Sequence, residues 1–67
     1  NPASDYIRIP KELVGLDFGV YSSEGKQVLG GSLSGETIFI EQLNEGVYTL
    51  SVHADTRSYS SQFVVRR

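Results

Sequence analysis

The 67-residue sequence predicts an all-β protein. Three observations predict this fold class. Apolar runs of strand length recur along the chain, and clusters of Gly, Ser, Asn and Asp separate them. Several runs alternate apolar and polar residues, and no segment keeps a helical period. Two stacked sheets are the usual way for short strands to bury their apolar faces. We therefore expect a small immunoglobulin-like β-sandwich of six or seven antiparallel strands.

The first predicted strand covers residues 5–9, with Ile7 and Ile9 facing inward. Pro10 ends this strand, because proline cannot donate a hydrogen bond to a neighbouring strand. Residues 11–15 follow, and we favour a loop there over a single helical turn.

A β-hairpin is predicted next, from strands at residues 17–22 and 26–29. The turn between them ends at Gly25, which is free to adopt a positive φ. Gly30-Gly31 then interrupts the returning strand and indicates a bulge or a bend.

The last three predicted strands cover residues 37–41, 47–54 and 58–65. Gly46 ends the turn that leads into the second of these strands. Strict alternation along that strand predicts that Tyr48 is buried on its inward face.

Length and composition exclude several classes of function. A chain of this size has a net stability of roughly 3–5 kcal/mol, and it has no Cys and only one His for a disulfide or a zinc site. The net charge of −2, with acids and bases interspersed, argues against nucleic-acid binding. No apolar run is long enough for direct membrane insertion. The chain has no Met and begins at Asn1, so we expect residues 1–67 to be one domain taken from a larger protein.

The tempting catalytic constellation is Ser51, His53 and Asp55, which alternate along one predicted strand. Residues two apart on a strand are separated by about 6.5–7 Å, whereas a nucleophile and its base need about 2.6–3.2 Å. We interpret the three as a polar, solvent-facing stripe. No metal-ligand spacing or phosphate-binding loop occurs either. We therefore predict no enzyme, no catalytic residue, no metal site and no cofactor.

Three tyrosines, Tyr6, Tyr21 and Tyr59, are candidates for partial exposure. Packing at the edge of the core explains them without a function. Exposed tyrosines are also enriched at interfaces and in sugar-binding sites, so a non-catalytic accessory module for adhesion or carbohydrate binding is the alternative function.

Four ordered groups of residues carry a family resemblance. They are Asn1-Pro2 with Ile7 and Ile9; the stretch Val-Tyr-Ser-Ser-Glu-Gly-Lys-Gln-Val at 20–28, which contains Gly25 and Lys26; Ile38, Ile40 and Leu43 followed by Gly46-Val47-Tyr48; and Phe63-Val64-Val65-Arg66-Arg67. In this order they resemble the type A C-terminal sorting domain of the type IX secretion system of Bacteroidetes. Ser22 departs from the Asp or Asn common there, although a Ser hydroxyl can bond its own backbone more weakly.

The resemblance implies that the domain targets its parent protein for export, rather than that it has a catalytic activity. Proteins with such a domain cross the inner membrane of a Gram-negative cell by an N-terminal signal, pass the periplasm and leave through the type IX secretion machinery. In most of them a sortase-like protease removes the domain and joins the new end to anionic lipopolysaccharide. The protein then stays at the cell surface or is secreted.

We expect recognition to use the last strand and its end, namely Phe63, Val64, Val65, Arg66 and Arg67. Phe63 and Val65 would anchor the strand. The two arginines could pair with carboxylates of the machinery. An unpaired last strand would also allow a partner strand, or a second copy in a homodimer, to add at its edge.

Overall fold

The computed structural model describes residues 2–3 and 5–66, with the side chains of residues 5–66. No helix in this part of the chain is long and apolar enough to cross a membrane. Seven strands and one 3-10 helical turn occur among these residues. In chain order they are β1 Pro2–Ala3, β2 Tyr6–Arg8, the 3-10 turn Lys11–Leu13, β3 Asp17–Ser22, β4 Gln27–Ser32, β5 Thr37–Phe39, β6 Gly46–His53 and β7 Ser58–Val65.

The strands form two sheets, which confirms the predicted all-β sandwich. The larger sheet has five strands in the order β1-β7-β6-β3-β4, and the smaller sheet pairs β2 with β5. All pairings are antiparallel except that of β1 with β7, which is parallel.

The core lies between the two sheets and is built from alternating positions. β6 shows this most clearly, because Tyr48, Leu50 and Val52 are buried while the residues between them are not. Side chains of a strand alternate between its faces, so the same strand supplies the core and a polar outer face. The buried apolar residues are Ile9, Val20, Leu33, Ile38, Ile40, Leu43, Tyr48, Leu50, Val52, Phe63 and Val65.

The predicted hairpin is present, but its bulge lies elsewhere than expected. β4 continues through Gly30 and Gly31, which pair with β3. Val20 pairs with Leu29 and the next residue of β3 pairs with Gln27, so Val28 is the extra residue of the bulge. The glycines were the wrong signal, because the large sheet keeps its hydrogen bonds across them.

The segment at residues 11–15 forms a helical turn rather than the predicted loop. The Leu13 amide donates to the Pro10 carbonyl at 3.0 Å, and the Val14 amide donates to the Lys11 carbonyl at 3.2 Å. Pro10 lacks a donor, but its carbonyl is free to accept, so the residue that ends one strand also begins the turn. The turn packs Leu13 against the core and leaves Val14 exposed.

The turn between β3 and β4 depends on Gly25. Its φ of 85° is left-handed, and its amide donates to the Ser22 carbonyl at 2.9 Å. The Ser22 hydroxyl accepts from the Glu24 amide at 3.3 Å, which is the long bond expected when Ser replaces Asp or Asn.

We expect Gly25→Ala to lower the free energy of unfolding by about 1–2 kcal/mol, because a Cβ is unfavourable in the left-handed region. Gly35→Ala is the matched control, since a Cβ at either position meets no atom within 4 Å and the φ of Gly35 is not positive. Urea unfolding of both variants measures the difference. Equal stabilities for the two variants would contradict this role of Gly25.

Candidate functional site

The predicted recognition segment begins with two buried side chains. Phe63 lies opposite Tyr48 in the pairing of β7 with β6, and their rings stack with centroids 5.7 Å apart and planes 23° from parallel. Val65 is fully buried. These two residues therefore hold the end of β7 in the core and are not on the surface of the folded domain.

The residues that alternate with them face the solvent. Val64 is half-buried on the opposite face of the sheet, and Arg66 is exposed just after β7 ends. Arg67 lies outside the described residues. A partner that contacts the folded domain at this end therefore meets Val64, Arg66 and backbone rather than Phe63 or Val65.

The sequence predicted an unpaired edge on the last strand, and the structure shows pairing at part of that edge. β6 pairs with β7 along its whole length, and β1 pairs with Val64 and Val65 on the other side. Among the described residues, no strand pairs with that second side of β7 from Ser58 to Phe63. A two-residue Pro-Ala strand has no recognisable sequence pattern, so reasoning from the sequence missed it.

Tyr48 connects this segment to the turn before β6. Its hydroxyl donates to the Asn44 carbonyl at 2.7 Å, four residues earlier. Its ring is about as buried as that of Phe63. The phenol therefore packs its ring in the core while its polar end closes the turn.

Gly46 begins β6 with a φ of 159°. This positive φ lies at the extended limit of a range that residues with a Cβ rarely adopt, so glycine is the residue suited to this position. A Cβ there would lie 3.8 Å from Tyr48 Cε2, an ordinary contact distance.

The strand pairing brings the motif residues to one end of the large sheet. Ser22 pairs with Tyr48, and Tyr48 pairs with Phe63, so three strands meet in one row. We call residues 22–26, 44–48 and 63–66 the C-terminal end of the sheet. It contains the exposed cations Lys26 and Arg66 and the exposed acids Glu24 and Glu45.

The Ser51 and His53 side chains do meet, contrary to the distance argument. Ser51 Oγ lies 3.3 Å from His53 Nε2, because the imidazole is long enough to reach back along the strand. No hydrogen bond joins His53 to Asp55 among the described side chains, and His53 is exposed. The arrangement lacks the buried acid that orients a catalytic histidine. No group of three or more His, Cys, Asp or Glu that could hold a metal occurs in the described part of the chain.

The three candidate tyrosines lie on three different surfaces. Tyr6 is on the outer face of the small sheet, Tyr21 is on the outer face of the large sheet, and Tyr59 lies opposite Val52 on the inner side. They cannot form one ligand site. Phe39, which was not predicted to be exposed, pairs with Tyr6 and is 64% exposed. The alternation around Ile38 could have revealed it.

Comparison with known proteins assigns a family. A family model described as the secretion system C-terminal sorting domain matches residues 1–66. The chain belongs to this family. No curated protein and no solved structure gave a significant match.

This C-terminal sorting domain is a sorting signal for type IX secretion. Domains of the family are recognised by the type IX secretion machinery, and such a signal implies export across the outer membrane, to the cell surface or beyond. The family is one of sorting signals rather than of catalysts. The function suggested by the resemblance is thereby confirmed at this level.

We expect Tyr48→Ala to lower the free energy of unfolding by about 3–5 kcal/mol, because it removes a buried aromatic ring. Tyr48→Phe keeps the ring and loses only the bond to Asn44, so we expect a loss of about 0.5–1.5 kcal/mol. Tyr59→Ala is the control, since Tyr59 is 38% exposed on the same sheet. Thermal unfolding that ranks Tyr59→Ala at or above Tyr48→Ala in destabilisation would contradict the role of Tyr48.

Proposed function

We propose that the type IX machinery recognises the C-terminal end of the sheet in the folded domain. The observation that carries this proposal is the convergence of the motif residues there, with Phe63 and Val65 buried and Arg66 exposed. The buried pair fixes the position of the strand end. The exposed Arg66, together with Arg67, which follows it in the sequence, then supplies charged donors for carboxylates of the machinery.

The exposed side of β7 from Ser58 to Phe63 offers a second means of contact. An extended segment of a partner can add there as a further strand, with backbone hydrogen bonds providing affinity. β1 leaves this stretch open but occupies the two positions beyond it. The same edge would serve a second copy of the domain, in a homodimer.

In this proposal the domain is a non-enzymatic sorting signal that is part of the parent protein. The parent protein passes through the periplasm, and the machinery takes it across the outer membrane. A sortase-like protease then cuts the parent ahead of the domain and joins the new end to anionic lipopolysaccharide. The resemblance of the four motifs to the family supports these later steps.

The test replaces Arg66 and Arg67 together by Ala in a neutral reporter fused to this domain. Each charge-assisted hydrogen bond contributes about 1.5–3 kcal/mol, and about 1.4 kcal/mol corresponds to a tenfold change in affinity. We therefore expect the surface-exposed fraction of the reporter to fall by about tenfold or more, with the reporter accumulating in the periplasm. Surface labelling and cell fractionation measure both.

The control replaces Arg8 and Lys11, which are also exposed, by Ala and so removes the same charge elsewhere. Purified domains of both variants should unfold at the wild-type temperature. Wild-type export of the Arg66 and Arg67 variant would overturn the proposal. Deleting residues 63–67 is a poorer test, because it also removes Phe63 and Val65 from the core.

A further inference from the structure

The outer face of the large sheet carries a regular array of polar side chains. Thr49 pairs with Tyr21 on one side and Gln62 on the other, and Ser51 pairs with Gly19 and Ser60 in the same way. All of these residues except Gly19 line a shallow cleft of about 520 Å³, together with Val47, His53 and the β3–β4 turn. The lining contains no charged side chain.

One aromatic side chain reaches back over this array. A Cβ built on Gly19 would come within 3.0 Å of Tyr21 Cε1 and 3.1 Å of Tyr21 Cζ, so the ring occupies the space above the glycine. Gly19 is buried although it faces outward in the sheet. The glycine thus makes room for the end of the tyrosine side chain, which also borders the cleft.

Two further contacts fix polar groups around the ring. Ser51 Oγ is held by His53 Nε2 at 3.3 Å. On the other side, the Gln27 amide lies over Gly30, the partner of Gly19, and donates to the Leu29 carbonyl at 3.2 Å. The cleft therefore combines one aromatic side chain with uncharged hydroxyl, amide and imidazole groups and the apolar Val47, while Asp17 lies opposite His53 on the same face.

We propose that this outer face is a binding site for a neutral glycan. The ring of a pyranose has an apolar C–H face that matches an aromatic ring, and its hydroxyl groups both donate and accept hydrogen bonds. Hydroxyl and amide side chains can do the same in return. Nucleic acid and other polyanions do not fit, because the cleft has no cation and the chain has a net charge of −2.

This site shares the β3–β4 turn and Val47 with the C-terminal end of the sheet, but the groups proposed to bind glycan differ from those proposed to bind the machinery. Arg66 and Phe63 do not line the cleft, and the proposal does not require that the domain be recognised by the secretion machinery. Loss of glycan binding and loss of export are therefore distinguishable.

The test is a titration of the 67-residue domain, followed by amide chemical shifts in NMR spectra. The probes are linear hexasaccharides of glucose, mannose and N-acetylglucosamine, with an alginate hexasaccharide as the anionic counterpart. We expect saturable shifts at Thr49, Ser51 and Gln62 with at least one neutral probe, at a dissociation constant of about 1 mM. Alginate should bind at least about tenfold more weakly.

Tyr21→Ala should weaken binding by about tenfold or more, and Tyr59→Ala, on the inner side of the sheet, should leave it unchanged. Gly19→Ala keeps the tyrosine but displaces its ring, so it should also weaken binding. If Tyr21→Ala fails to fold, Gln62→Ala tests the same face at an exposed position.

Absence of saturable shifts with all three neutral probes up to about 20 mM would overturn the proposal. Shifts confined to another surface, or equal binding by the wild type and the Tyr21 and Gln62 variants, would overturn it as well.

Discussion

The stack of Tyr48 on Phe63 is the contact on which the rest of the domain depends. It joins β6, the central strand, to the last strand of the chain, and its phenol hydroxyl closes the turn that begins β6. Ser22 pairs with Tyr48 on the other side, so the β3–β4 turn is fixed from the same residue. Side chains in packed interiors constrain one another closely, and a shift of this ring would therefore move the hairpin, the turn and the chain end together.

Much of the fold could be predicted because period-two alternation is a local property. The bounds of β3 and β7, the inward direction of Tyr48 and the left-handed Gly25 all follow from residues within a few positions of each other. The errors came from features that tertiary structure decides. β1 exists only because β7 is beside it, the bulge at Val28 depends on the register with β3, and the 3-10 turn forms where Leu13 can reach the core.

The sequence names the motif residues, but it does not give their arrangement in the fold. The motifs indicated Gly25, Lys26, Tyr48 and Phe63, but they lie far apart in the sequence, and only strand register brings them to one end of the sheet. Register is a pairing between distant segments, which a single sequence does not state. The contact of Ser51 with His53 has a different origin, because both residues lie on one strand and side-chain length rather than backbone spacing decides it.

The terminal segment contributes much of the stability of the fold, and it is also the segment that we propose the machinery recognises. Burying a Phe or Val side chain contributes about 1.5–3 kcal/mol, and a domain of this size has only about 3–5 kcal/mol in total. Phe63 and Val65 therefore contribute as much as the whole net stability. A chain that lacks its last residues would lose the folded sheet along with Arg66 and Arg67. The proposed recognition at this end would therefore require the folded sheet, since only the folded sheet places Arg66 at the same end as Tyr48 and the β3–β4 turn.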